Sequence, residues 1–276
     1  MQKGFLILMV RERLDKILTE KGFFETKSKA QAAIMAGDVK VNGIVITKSG
    51  YMLNSEENNN FEIKSMPFVS RGGFKLQKAL QVFDINLKNR ICLDAGASTG
   101  GFTDCMLQNG AKKVYSVDVG YGQISWKLRT DNRVKVIERI NIKNCEFEDI
   151  YSADEPLADF FTMDLSFISI TKVLNNIIKL AGNDGFEIVS LIKPQFEAGK
   201  NQVGKNGVVR DIQVHIEIVN NIINFCNQIN LKVKNLTFSP IRGPKGNIEY
   251  LIHLADKGEA NEINVNEIIE KANREI

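Results

Sequence analysis

The spacing of apolar positions changes near residue 65 of the chain. Before that point the segments are short. Residues 11–21 place Leu14, Ile17 and Leu18 on one helical face, and Gly22 ends that helix. Thr26 caps a second helix whose apolar side is Ala30, Ala33 and Ile34, stopped at Gly37. Residues 39–41 alternate as a strand, Asn42-Gly43 signals a tight turn, and residues 45–47 return as the partner strand. A polar loop over 56–60 leads to a third strand at 61–63. Two helices and a small hairpin make a compact α+β module.

Pro67 fixes the chain and restricts its predecessor, which marks residues 66–70 as a linker. Beyond it, apolar runs rich in β-formers alternate with helical periodicity. Strands are expected at 91–94, 114–118, 134–137, 160–164 and 186–192, and the clearest helices at 101–109, 171–181 and 211–228. Such alternation predicts an α/β fold with a mostly parallel sheet covered on both faces. Residues 257–276 form an acidic, helix-compatible tail with no assigned role.

Composition narrows the class without naming a function. At 276 residues the chain has room for one large α/β domain and one small module. Charged residues make up 25% and hydrophobic residues 43%, as in an ordinary globular protein. A formal charge of +3 is only a mild lean toward polyanions. Cys92, Cys105, Cys145 and Cys226 lack the close spacing of a zinc knuckle, so no metal site is expected and the thiols suit a reducing compartment. The apolar run at 5–10 stops at Arg11, short of the roughly 7–15 residues of a signal-peptide core. No segment approaches the about 20 apolar residues of a membrane span. These features suggest a cytoplasmic protein that is not held in a membrane.

The chemistry starts at the end of the first strand of the larger region. Leu93-Asp94-Ala95-Gly96-Ala97-Ser98-Thr99-Gly100-Gly101-Phe102-Thr103 is a small-residue loop between strand and helix, which lets backbone amides approach a ligand. A pyrophosphate loop shows Gly-x-Gly-x-x-Gly. Here an acid leads the glycines; it would repel a phosphate but suits the cationic amino-acid end of S-adenosylmethionine. Asp118, ending the next strand, is placed to accept the hydroxyls of an adenosine ribose.

Two more polar residues sit at strand ends: Asp164 after the fourth strand and Lys193 before Pro194 after the fifth. Both should face the same crevice. Pattern alone leaves open a structural ion pair or a catalytic pair. Methylating a hydroxyl requires removing its proton. A lysine serves as that base only if burial and neighbouring cations favour its neutral form, which calls for a second lysine and a carboxylate nearby.

The runs Val69-Ser-Arg-Gly-Gly-Phe-Lys75, Leu93 through Thr103, Asp164-Leu-Ser-Phe-Ile-Ser169, Leu191-Ile-Lys-Pro-Gln-Phe-Glu197 and Gly243-Pro-Lys-Gly-Asn-Ile-Glu249 together resemble the TlyA family of rRNA methyltransferases, also called haemolysin A. The resemblance extends from about residue 11 to about residue 254. It implies an S-four-like RNA-binding domain at 11–65 and a Rossmann-like, FtsJ-like methyltransferase domain at 71–256. It further implies a Lys75, Asp164, Lys193, Glu249 tetrad for 2′-O-methylation of ribose in a cytidine of ribosomal RNA. Lys193 is then the base and Asp164 its holder. S-adenosylmethionine would lie on Asp94, Gly96, Ala97, Ser98, Thr99, Gly100, Gly101, Phe102 and Thr103, with Asp118 on its ribose and Asn141 near the adenine.

In the small module, residues 10–49 carry eight Lys/Arg against five Asp/Glu. Charge alone favours a plain solvated face. The resemblance turns Arg11, Arg13, Lys16, Lys27 and Lys29 into phosphate contacts, with Arg71 added beside Gly72-Gly73; the partner is ribosomal RNA or a ribosomal subunit. Two rivals remain: a membrane-active haemolysin, with neither barrel strands nor apolar helices evident, and a Rossmann oxidoreductase, with no recognisable phosphate loop.

Overall fold

The computed structural model describes residues 11–24, 26–54, 58–64, 66–182 and 185–276, with the side chain of Lys200 excepted. The run at 5–10, part of the loop at 56–60 and residue 65 lie outside the described residues. The chain divides into two compact units, residues 1–67 and 68–276.

In the smaller unit, Arg11–Arg13 forms strand β1, α1 spans Leu14–Glu20 and α2 spans Lys27–Met35. Strands β2 (Val39–Val41), β3 (Ile44–Val45), β4 (Met52–Asn54) and β5 (Phe61–Ile63) follow. Thr26 accepts a hydrogen bond from the Lys29 amide at 3.2 Å, the cap that starts α2. Asn42 and Gly43 take φ of +51° and +79°, the left-handed pair that a two-residue hairpin between β2 and β3 needs. Leu14, Leu18, Ala30, Ile34 and Val39 close the small core.

Here the structure corrects one expectation. Residues 11–13 are not the first turn of a helix but a strand paired antiparallel with β4, Arg11 opposite Asn54. The pairing partners are 39 to 43 residues away in sequence, beyond the reach of a local periodicity.

In the larger unit, α3 (Gly72–Val82) precedes the alternating elements: β6 (Ile91–Ala95), α4 (Gly101–Gln108), β7 (Lys113–Asp118), α5 (Trp126–Arg129), β8 (Val134–Glu138), α6 (Phe147–Ile150), β9 (Phe160–Met163), α7 (Leu174–Leu180), β10 (Glu187–Ile192), α8 (Pro194–Glu197), α9 (Ile212–Gln228), β11 (Lys232–Phe238), β12 (Tyr250–Ala255) and α10 (Val265–Glu275). Seven strands form one sheet in the order β11-β12-β10-β9-β6-β7-β8. The five from β10 to β8 run parallel, and β12 lies antiparallel between β10 and β11. One core fills the face under α7, α9 and α10, and a second fills the opposite face under α3 and α4.

From β6 the chain proceeds outward to β7 and β8, then returns to β9 on the other side of β6. That reversal opens a crevice at the carboxyl ends of β6 and β9, where open α/β sheets bind ligands. The segment expected as a tail is instead part of the core. Val265, Ile269 and Ala272 of α10 are buried in the same cluster as β11 and β12, because an antiparallel extension of the sheet needs cover on that face.

Candidate active site

Four polar side chains converge at the crevice. Lys75 comes from the first turn of α3, Asp164 follows β9, Lys193 follows β10, and Glu249 precedes β12. Lys75 Nζ lies 2.6 Å from Glu249 Oε2 and 3.8 Å from Asp164 Oδ2. Lys193 Nζ lies 2.6 Å from Asp164 Oδ1. That approach is an ion pair without hydrogen-bond alignment: Lys193 donates instead to Ser166 Oγ at 3.0 Å, and Asp164 Oδ1 accepts no hydrogen bond. The result is a chain of alternating charge, Glu249–Lys75–Asp164–Lys193.

Glu249 is the most buried member, its side chain 1% exposed, while that of Asp164 at 21% meets solvent. Two cations and two carboxylates balance, which is how charges of this kind are tolerated out of water. The local fold makes room for them. A methyl group on Gly243 would lie 2.5 Å from Glu249 Oε1, so only glycine leaves that carboxylate its place. A methyl group on Gly101 would strike Ser70 Oγ and sit 3.0 Å from the Gly73 amide nitrogen. This close approach of α4 and α3 holds Lys75 against the strand ends.

The glycine loop lies directly beside the tetrad. Ala95 and Met163 are register partners at the ends of β6 and β9, and the Asp164 amide donates to the Ala95 carbonyl at 3.1 Å. Gly96 takes a φ of +84°, and a methyl group there would lie 3.0 Å from the Asp164 carbonyl oxygen. Gly100, at φ +95°, packs on Leu128. Ala97, Gly100, Gly101 and Phe102 are buried, and Ser98 and Thr99 are exposed.

Asp94 does not present a free carboxylate. It is fully buried, its Oδ2 accepting from the Thr103 amide at 2.9 Å and hydroxyl at 2.7 Å, and its Oδ1 from the Thr162 hydroxyl at 3.0 Å. It ties the loop and the start of α4 to β9. Burial, partly offset by these hydrogen bonds, pushes its carboxyl up to about 6. Asp118 is half-buried and accepts from the amides of Ser98 at 2.8 Å and Gly120 at 2.7 Å. Asn141 is exposed, and its side chain accepts from the Lys143 amide at 3.0 Å, shaping its own turn.

The proposed RNA contacts divide. Arg13 is bound by Asp15, Oδ2 at 2.7 Å, and Lys16 pairs with Glu12 at 3.0 Å and Glu20 at 3.6 Å. Arg11, Lys27 and Lys29 are exposed in the small unit, and Arg71 is exposed ahead of α3 in the large one. Sequence reasoning missed Thr162, Ser166 and Glu197. Glu197 Oε1 accepts from the Ile170 amide at 2.9 Å and anchors the loop after Asp164, burial holding its carboxyl above the usual range. Also missed was Phe167, 90% exposed with φ of +65° beside Phe196, a strained aromatic of the sort that gathers at functional sites. No periodicity marks these residues: Thr162 lies within β9, Ser166 and Phe167 in the loop after it and Glu197 in α8, and only the family runs over 164–169 and 191–197 touch the last three.

Fold and crevice define a Rossmann-like methyltransferase. The FtsJ-like methyltransferase family matches residues 68–256, and the S4 domain matches residues 12–58. The chain belongs to the TlyA branch of the FtsJ-like methyltransferases. It is 40% identical to the 16S/23S rRNA (cytidine-2′-O)-methyltransferase TlyA of Mycobacterium tuberculosis over 88% of this chain and 90% of that one. It is 46% identical to Hemolysin A of Brachyspira hyodysenteriae over 87% of this chain and 98% of that one. A solved structure from Streptococcus thermophilus that carries the hemolysin name is 42% identical, covers 97% of both chains and superposes with a TM-score of 0.75.

Proposed function

We propose that the protein transfers a methyl group from S-adenosylmethionine to the 2′-hydroxyl of a cytidine ribose in ribosomal RNA. The observation that carries this reading is the Glu249–Lys75–Asp164–Lys193 chain set against the Gly96 loop at the sheet's switch point. The loop fits the cofactor: the conformations at Gly96 and Gly100 leave no room for a side chain, and among the described residues the part-exposed Asp118 carboxylate is engaged by the backbone amides of Ser98 and Gly120. Residues 96–103 and Asp118 would hold it, with Asn141 toward the adenine and Asp94 acting through Thr103 to shape the loop. When bound, the cofactor supplies an electrophilic methyl group on a sulfonium.

Everything else falls to the chain. Lys193 Nζ, having given up its own extra proton to solvent, accepts as the neutral amine the proton of the 2′-hydroxyl, which makes the oxygen nucleophilic. Asp164 orients that amine from one side while Ser166 accepts from it on the other. Lys75 places positive charge near the oxygen as negative charge develops there, and Glu249 keeps Lys75 aimed at the crevice. Arg11, Lys27 and Lys29 supply phosphate contacts from the small domain, and Arg71 from the large one; such contacts give affinity and orientation without base identity.

The test is transfer of tritium from labelled S-adenosylmethionine to unmodified ribosomal RNA, naked and in subunits, by wild type and by Lys193→Ala. Label should appear at a cytidine whose 3′ linkage resists alkali, and the substitution should reduce turnover by about 10²–10⁴-fold with cofactor affinity retained. A Lys193→Ala variant with wild-type turnover would remove the proposed base.

A further inference from the structure

Away from the tetrad, the sheet ends at β7 and β8, and the loops at that edge leave aromatic groups in water. Trp126, the chain's one tryptophan, is 73% exposed; Tyr121 is 69% exposed and Val119 66%. Isolated exposed apolar residues are ordinary, but three large ones within eight residues are not. The segment is well tied down. The Gly122 amide donates to Glu138 Oε1 at 2.8 Å, and the Ser125 amide to the Thr99 carbonyl at 3.2 Å. In α5, Leu128 packs into the core against Gly100, which turns Trp126 outward.

Charge gathers at the same edge. Residues 112–143 carry eight Lys/Arg against three Asp/Glu, a net of +5 in a chain whose total is +3. Some of that charge is used internally: Lys113 and Lys135 pair with Glu155, Lys127 with Asp104, Arg129 with Glu138 and Arg133 with Asp131. Lys112, Arg139 and Lys143 are exposed and form no ion pair among the described residues. The Arg139 guanidinium lies 4.1 Å from the centre of the Tyr121 ring, and Arg139 keeps a left-handed φ of +63°. A cation fixed over one exposed aromatic, with a second exposed aromatic five residues further along the same edge and surplus positive charge in that segment, matches what unpaired bases and their phosphates require.

We propose that Trp126, Tyr121 and Arg139 form an RNA-docking surface on the methyltransferase domain, where an unpaired base of the substrate stacks outside the crevice that takes the reacting ribose. This rests on the reading of the protein as an RNA methyltransferase. It adds a contact that secures the substrate to the catalytic domain independently of the small domain. Because Trp126 is the single tryptophan, its emission reports directly on the surface.

The full-length protein is titrated with unmodified ribosomal RNA while tryptophan emission and filter retention are followed together. Emission should be quenched in step with RNA binding and left unchanged by S-adenosylhomocysteine alone. Trp126→Ala and Arg139→Gln should each raise KM for RNA by about ten- to a hundredfold, with kcat and cofactor affinity near wild type, and Trp126→Phe should restore most of the loss. RNA retained on the filter with unchanged emission overturns the proposal, as does an unchanged KM in Trp126→Ala. Quenching by S-adenosylhomocysteine alone would assign the tryptophan to the cofactor. Quenching by assembled subunits but not by naked RNA would assign the face to a ribosomal protein; either result overturns an RNA surface. The emission reading needs no turnover, so absent methyl transfer counts against the proposed function, and unchanged emission against this surface.

Discussion

Asp94 gives the site a measurable pH signature. Its carboxyl is held at about 6 in the folded chain, against an ordinary 3.8, chiefly because burial penalises the charged form. A raised folded value means the folded state holds the proton more tightly. The stabilisation is fully present below about pH 4 and is lost as pH rises through about 6. Asp94→Asn removes this dependence while an amide can still meet Thr103 and Thr162. Relative to the variant, wild type should therefore be more stable at about pH 4.5 than at about pH 7.5 in urea unfolding. A difference that stays flat across that range would show that Asp94 does not titrate there. Glu249→Gln tests the other buried charge. It leaves the Lys75 ammonium, 10% exposed, with Asp164 at 3.8 Å as its remaining carboxylate among the described residues. Breaking such a pair should cost about 3–5 kcal/mol, whereas the double variant Lys75→Met, Glu249→Leu should recover most of that stability and none of the methyl transfer. Equal stability of single and double variants would mean that the pair is solvated in solution. The roles at this scale were unevenly legible. Asp164 and Lys193 stood out as polar tips on apolar strands, but Lys75 and Glu249 were visible only through family resemblance. The burial of Asp94 depends on Thr162, a strand away, and no spacing in the sequence links the two.

At the scale of elements, close approach explains what periodicity does not. Gly73 sits in α3, where alanine would favour the helix by about 1 kcal/mol. A methyl group at that position, however, collides with the ring of Phe68. Overpacking of this kind costs about 1–3 kcal/mol, so the collision should win. Gly73→Ala is expected to lower the urea midpoint and, by shifting α3, to reduce methyl transfer through Lys75. A gain in stability would show that Phe68 can move aside freely. The parallel strands β6 to β10 and the helix α9 were legible because each buries a continuous apolar run or stripe. Helix α3 was not, because its opening Arg71-Gly72-Gly73 has the composition of a turn and becomes helical only by packing on α4. The segment of α10 was legible as helix-compatible but not as core, because its few apolar positions, Val265, Ile269 and Ala272, gain meaning only once β11 and β12 need cover.

For the molecule as a whole, the question is how a chain with a net charge of only +3 recognises a polyanion. The proposed answer is local surplus rather than overall charge: a cationic edge at residues 112–143, together with Arg11 and Lys27 of the small domain, which are exposed and form no ion pair among the described residues. Among the described residues no helix is long and apolar enough to cross a membrane, so the hemolysin name of some relatives draws no support from a membrane-spanning helix here. The cations of the small domain should then differ in effect. Arg11 and Lys27 are exposed, and no ion pair holds either among the described residues. If they meet phosphates, Arg11→Ala with Lys27→Ala should weaken binding uniformly across RNA sequences and reduce the slope of log affinity against log salt by about 2. Arg13 already serves the fold, since its guanidinium neutralises an Asp15 that is only 1% exposed. Arg13→Ala should therefore destabilise the small domain by leaving a buried carboxylate unpaired, and change the salt slope little once the protein is folded. Measuring affinity over a series of salt concentrations for both variants, with unfolding midpoints alongside, separates the two roles. A full unit lost from the slope in Arg13→Ala, with its midpoint unmoved, would place that arginine on the RNA and take Asp15 out of the account.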